Sequence, residues 1–190
     1  MKKNVLIISA SLRKGGNSDI LASEFEKGAL ESGHEVKKID LYNKTINFCK
    51  GCLVCQSTKK CIIKDDASDI VGEMLHNDVV VFATPIYFYE MCGQMKTLLD
   101  RTNPLFPSDY SFTDIYLLTA AADDNKNSMD GVIKGLQGWI DCFEKTNLKG
   151  VVKGLGADTA GSIKNFPNVL KEAYTMGKNI WFFKYLKSII

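Results

Sequence analysis

Apolar and polar positions along this chain alternate between two periods, and the switches between them mark its elements. Val5 to Ile8 is a short apolar run bounded by Asn4 and Ser9, the length of a buried strand. From about Ser18 the spacing changes, and Leu21, Phe25, Gly28 and Ala29 fall on one face of a helix that stops near Gly33. Val36 to Leu41 mixes polar residues into a strand pattern, which predicts a place at or near a sheet edge. Asp66 reads as the N-cap of a helix carrying Ile70, Val71, Met74 and Leu75. Val79 to Ala83 is a continuous apolar run of the kind buried on both faces, and Pro85 is expected to end it. A helix from about Met91 to Arg101, a strand over Ile115–Ala121 and a helix from Ser128 to about Thr146 follow. A strand around Val151–Val152 and a last helix from Pro167 complete the pattern. This rhythm predicts an α/β fold, a five-stranded parallel sheet with helices on both faces, in a single domain over residues 1–190. In such a sheet a ligand lies beyond the carboxyl ends of the strands, where the strand order reverses. The loops that leave the strands are therefore the places to look.

Composition narrows the function classes. With 24% charged residues and a net charge of +2, the chain has no electrostatic case for nucleic acid or a membrane surface. Its longest apolar runs are strand-sized, and the run after Lys2-Lys3 is too short for a secretory signal. A cytoplasmic protein is expected, in a compartment that keeps thiols reduced.

The loop after the first strand reads Ser9-Ala10-Ser11-Leu12-Arg13-Lys14-Gly15-Gly16-Asn17-Ser18. It is neither G-x-G-x-x-G nor a P-loop; Gly156 and Gly161 have the P-loop's glycine interval, but Ser162 stands where lysine is required. Hydroxyls at Ser9, Ser11 and Ser18, the Asn17 amide and the Arg13 charge precede a helix N-terminus, and such a set suits a phosphate monoester. A plain polar loop with a capping serine is the competing reading. After the third strand, Pro85, Ile86, Tyr87, Phe88 and Tyr89 set aromatic rings beside the expected switch point, where a planar ligand needs flat apolar contacts. The same rings could instead cap the sheet or meet another subunit. After the fourth strand, Ala120 and Ala121 let a ring approach the backbone. Asp100 and Arg101, at a helix end, fit an ion pair or subunit contact better than chemistry. His34 and His76 fit capping or surface roles, and Cys92 and Cys142 read as buried helix thiols.

Four of the six cysteines, Cys49, Cys52, Cys55 and Cys61, follow the spacing C-x2-C-x2-C-x5-C. Zinc usually takes two separated ligand pairs, whereas overlapping C-x2-C steps suit the corners of a 4Fe–4S cluster. Reduced thiols or a labile disulfide in a solvated loop are the other reading, and the polar, lysine-bearing stretch Gln56–Lys60 favours it.

Ser9-Ala10-Ser11-Leu12-Arg13, with Gly16-Asn17-Ser18, resembles the phosphate loop of the NADPH-dependent FMN reductase family, a branch of the flavodoxin-like fold. Thr84–Tyr89 with Gly93–Arg101 resembles that family's proline–tyrosine loop and the helix after it. The cysteine spacing is similar to that of the iron–sulfur flavoproteins. The resemblance implies FMN as cofactor, with its phosphate on Ser9, Ser11, Arg13, Asn17 and Ser18. Its ring would lie against Pro85, Ile86, Tyr87, Phe88, Ala120 and Ala121. It also implies NAD(P)H as donor, and a small-molecule or protein acceptor such as a quinone, a nitro compound, free flavin or a metal ion. The flavin is expected to do the chemistry without a catalytic side chain. A homodimer or homotetramer is implied as well, with the aromatic stretch Trp181–Leu186 at a subunit boundary. The alternative is a one-electron carrier holding a 4Fe–4S cluster on the four cysteines. The missing glycine-rich, arginine-containing companion loop argues against that cluster.

Overall fold

A computed structural model describes residues 2–180 of the chain. The first half comprises β1 (Asn4–Ser9), α1 (Asn17–Glu31), β2 (Glu35–Asp40), a short α2 (Val54–Thr58) and α3 (Asp66–His76). Then come β3 (Val79–Tyr87), β4 (Glu90–Met91), α4 (Gly93–Asp100), β5 (Asp114–Ala120), α5 (Asp130–Ile140), β6 (Asn147–Gly154) and α6 (Pro167–Lys178). The parallel strands lie in the order β2-β1-β3-β5-β6, with β2 at an edge as its mixed pattern predicts. The expected count of five strands needs one correction. Glu90–Met91 forms a sixth, folding back antiparallel on Ile86–Tyr87.

That hairpin also shifts two boundaries. β3 does not stop at Pro85, which pairs with Ala120 at the last rung between β3 and β5, where its missing N–H leaves few ladder bonds unmade. The following helix begins at Gly93 because β4 has used the residues before it. α5 ends at Ile140 rather than near Thr146, since the Thr146 hydroxyl donates to the carbonyls of Ile140 and Phe143 (2.9 Å each) and turns the chain. Asp65, not Asp66, caps α3 by accepting from the Ala67 N–H at 3.2 Å.

Alternation along the strands sorts the core into two layers. Val5, Ile7, Val79, Val81 and Leu118 face α1 and α6, whereas Leu6, Ile8, Val80, Phe82 and Leu117 face α3, α4 and α5. α1 and α6 cross so closely that a Cβ on Gly177 would stand 2.0 Å from the Phe25 carbonyl oxygen. Cys92 is buried just ahead of α4, but Cys142 is exposed, beyond the end of α5. His34 is buried rather than at the surface, its Nδ1 accepting from the Lys3 N–H at 3.2 Å. No helix among the described residues is long and apolar enough to cross a membrane. Trp181–Leu186 lies outside them.

Candidate functional site

β1 and β3 are neighbours, yet the chain leaves them toward opposite edges of the sheet, and a cleft of about 250 Å³ opens beyond their carboxyl ends. One wall is the β1–α1 loop with Ser11, Arg13, Gly16, Asn17 and Ser18. A second is the end of β3 with Pro85, Ile86 and Tyr87, and a third comes from Ala120 and Ala122. The loop is tightly seated. Ala10 N–H donates to Ala83 O (2.8 Å), and Gly15 N–H donates to Asp19 Oδ2 (2.9 Å). Ser11 Oγ donates to Arg13 O (2.8 Å), and a Cβ on Gly16 would fall 2.4 Å from that hydroxyl. Burial pushes the Asp19 carboxyl up, but the Lys38 ammonium and the Gly15 N–H outweigh it and hold it below the usual range. Lys38 thereby offsets the one acidic side chain in the first turn of α1.

The sequence-based site residues separate here. Ser11, Arg13, Asn17, Ser18, Pro85, Ile86, Tyr87 and Ala120 line the cleft. Ser9 is buried behind it, its hydroxyl 3.4 Å from Asp19 Oδ1. Ala121 is buried between the lining residues Ala120 and Ala122, and its backbone joins Gly154 and Ala157. Phe88 is fully exposed at the β3–β4 turn, outside the lining. Asn17 lines the cleft, but its amide is engaged elsewhere. Nδ2 donates to Ala157 O (2.9 Å) and Thr159 O (2.8 Å), and Oδ1 accepts from the Ile163 N–H (3.2 Å). Asn17 thus pins a fourth wall, Ala157–Ala160, that sequence reasoning missed. The signal was the Gly156–Gly161 pair: both have positive φ, +71° and +81°, and they shape the loop leaving β6 without any P-loop lysine.

The cysteine segment forms a second centre. Cys49, Cys52, Cys55 and Cys61 all border one recess of about 20 Å³; Cys55 is buried, Cys61 half-buried and the other two exposed. Burial, followed by the sulfurs of Cys61, Cys49 and Cys52, pushes the Cys55 thiol up. Arg101 closes the base of the loop. Nη1 donates to Asn47 O and Asp65 Oδ2 (2.7 Å each), while Nη2 donates to Asp65 Oδ1 (2.9 Å), Ile63 O (3.1 Å) and Cys61 Sγ (3.3 Å). The expected ion pair at the end of α4 is therefore with Asp65, and Asp100 pairs with Lys96. Among the described residues no group of three or more His, Cys, Asp or Glu side chains closes around a single ion.

Residues 3–129 match the NADPH-dependent FMN reductase family. The chain belongs to that family. YwqN of Bacillus subtilis, named as an NAD(P)H-dependent FMN-containing oxidoreductase, is 30% identical over 166 residues, covering 80% of this chain and 84% of its own. The iron–sulfur flavoprotein MJ1083 of Methanocaldococcus jannaschii is 38% identical over 101 residues, 53% of this chain and 52% of its own. The chain thus spans about half the length of that relative. In fold, an NAD(P)H:quinone oxidoreductase from Methanothermobacter marburgensis superposes with a TM-score of 0.76 at 15% identity, over 97% of this chain and 99% of the other.

The cleft of this FMN reductase family member fits the phosphate of FMN on its own evidence. Ser18 Oγ is buried and has no hydrogen-bond partner among the described residues, a hydroxyl left over at the start of the fifteen-residue α1. Gly16 keeps Ser11 and the helix start close together, and Tyr87, half exposed, offers a flat apolar face.

Proposed function

We propose that this protein is an FMN-containing oxidoreductase that takes electrons from NAD(P)H and passes them to a small acceptor of the quinone, nitro or flavin class. The unsatisfied Ser18 hydroxyl at the start of α1 carries this reading, supported by membership in the FMN reductase family. FMN, when bound, supplies the hydride and electron chemistry. The chain's own residues bind and orient it. Ser11, Ser18 and the α1 N-terminus take the phosphate, Arg13 adds charge from the exposed loop, and Asn17 holds the 157–160 wall in place. Pro85, Ile86 and Tyr87 flank the ring from one side and Ala120 and Ala122 from the other. The cleft has no glycine path for a pyrophosphate, so FMN is preferred over FAD. Titration with both flavins, then stopped-flow reduction by NADH and NADPH, tests the assignment. An equal affinity for FAD, or bound flavin that neither nucleotide bleaches, would overturn it.

The same proposal includes a cytoplasmic homodimer or homotetramer. The wholly exposed Phe88, with Tyr87 and Tyr89 half exposed beside it, is the apolar patch that a second copy would cover. Light scattering on the purified protein reads the number of copies.

A second reading is favoured by one observation: all four cysteines of the C-x2-C-x2-C-x5-C segment border a single recess. A 4Fe–4S cluster takes its thiolates at four separate corners, so the lack of a single-ion site does not count against it. Cys49, Cys52, Cys55 and Cys61 would hold the cluster, with Lys50, Lys59 and Lys60 in the same segment offsetting its charge. The protein would then carry single electrons to a protein partner. Anaerobic purification with iron and sulfide assays decides between the readings: about four irons per chain, lost in Cys55→Ser while FMN stays bound, selects the carrier.

A further inference from the structure

We infer that a second small-molecule site lies between α3 and the cysteine loop, built for an organic anion with a flat apolar body, such as an aromatic carboxylate. The cavity there measures about 620 Å³ against about 250 Å³ for the FMN cleft, and the two share no lining residue. That size falls within the range of ordinary ligand sites, roughly 300–1,000 Å³. Its floor is apolar: Ala67, Val71 and Leu75 recur at every fourth residue of α3, one face of the helix, and Pro104 continues the surface.

Charge selects the ligand class. Lys59, Lys60 and Lys64 line the cavity and are exposed. Two carboxylates also line the cavity, and one is already neutralised: Asp65 is 3% exposed and bound to Arg101. Only Asp69 remains exposed against the three ammonium groups, a balance of +2. Arg101 is itself buried in the wall, and its Nε–H is the donor of its guanidinium that has no partner among the described residues. A cationic rim over an apolar floor binds an anion through its head group and buries the ring below. Cys61 belongs to the same wall, so the bound anion would rest against the cysteine loop.

The geometry provides its own blocking variant. Gly72 lies in the cavity wall within α3, and a Cβ there would meet nothing within 4 Å. Gly72→Phe therefore fills the cavity from an open position, in a helix that gains from losing glycine. The test is calorimetric titration of the flavin-loaded protein with 1-naphthoate, at low and high salt, beside the neutral analogue 1-naphthalenemethanol. One site per chain is expected, weakened about tenfold by loss of the charge and weakened by salt. Gly72→Phe should abolish the binding, and Lys60→Glu with Lys64→Glu should weaken it at least about tenfold, with flavin content unchanged. The unchanged flavin spectrum shows that the fold and the FMN cleft survive. Gly72→Leu serves as the milder block if Gly72→Phe lowers the yield of folded protein. No saturable binding, equal affinity for the neutral analogue, or binding that persists when the cavity is filled would overturn the inference.

Discussion

The β1–α1 loop and the cysteine loop each border a cavity, yet their backbones are built on different terms. In residues 9–18 the one position with left-handed backbone is Gly15 (φ +69°), where glycine carries no strain. The cysteine loop also places Gly51 at such a position (φ +63°), but it puts Leu53 (φ +60°) and Lys59 (φ +58°) there too, at the two ends of α2. Each such side chain costs about 1–2 kcal/mol. The phosphate loop is fastened along its length, by Ala83, Asp19 and the Asn17 amide. The cysteine loop is fastened mainly at its base by Arg101, and most of its span other than Cys55 and Cys61 is exposed. A fastened, unstrained loop is preorganised for a fixed ligand. A strained loop held at one end can be reshaped by whatever its sulfurs bind.

The largest effect should come from cutting that base. Arg101→Ala leaves Asp65 buried without its partner, a loss of about 3–5 kcal/mol, read by denaturant unfolding. Limited proteolysis should then cut first within residues 47–65, while FMN affinity stays within about threefold, because the cleft does not use Arg101. An intact cysteine loop with weakened FMN binding would reverse the contrast.

Acid probes the same pair more gently. Burial raises the Asp65 carboxyl, but Arg101 and the Asn47 donors prevail and hold it at about 2 in the folded protein, against 3.8 as the ordinary value. A carboxyl depressed on folding stabilises fully above its unfolded pKa. That contribution, about 2 kcal/mol, drains away as pH falls from about 5 through about 2. Asp65→Asn should flatten the stability profile across that window, and an unchanged slope would show that other carboxylates carry it.

In the phosphate loop the expected damage is to binding and not to folding. Arg13→Ala with Ser18→Ala should weaken FMN at least about tenfold, about 1.4 kcal/mol, with little change in unfolding free energy. Asn17→Ala separates tethering from direct contact. If Asn17 acts through the 157–160 wall, the variant should speed FMN release and raise amide exchange in that wall, two changes that a lost phosphate bond alone would not produce together.

The parallel sheet and its two helix-covered faces were legible because runs such as Val79–Ala83 and the Leu21–Phe25 spacing report burial directly. Three of the four cleft walls were legible as loops that follow strands. What stayed hidden was decided by partners distant in sequence. Asn17 looked like a phosphate ligand until Ala157 and Thr159, some 140 residues on, claimed its amide. Arg101 was legible as a member of an ion pair, but not that its partner would be Asp65, which buries it under the cysteine loop. Cys142 looked buried because the helix pattern ran on past Ile140, where Thr146 turns the chain instead. Periodicity records which face a residue occupies, and it says nothing about which distant group will meet it.

The smallest effects test the backbone contrast itself, with glycine as the probe. At Gly15 a side chain meets no atom within 4 Å, so Gly15→Ala should cost only the left-handed strain, about 1 kcal/mol of stability, and leave FMN affinity nearly unchanged. At Gly16 the backbone is ordinary (φ −68°), but the new methyl would stand 2.4 Å from Ser11 Oγ. The hydroxyl must then rotate off Arg13 O, so Gly16→Ala should weaken FMN several-fold with stability within about 1 kcal/mol. Lys59→Gly runs the other way, removing strain from the cysteine loop while loosening the unfolded chain. A net gain below about 1 kcal/mol is expected, with FMN affinity unaffected. Measured together by thermal unfolding and flavin titration, the three variants separate strain from contact. If Gly15→Ala and Gly16→Ala proved indistinguishable in FMN affinity, Ser11 would not be held in place by its glycine neighbour, and the seating of the phosphate loop would have to rest on Asp19 and Ala83 alone.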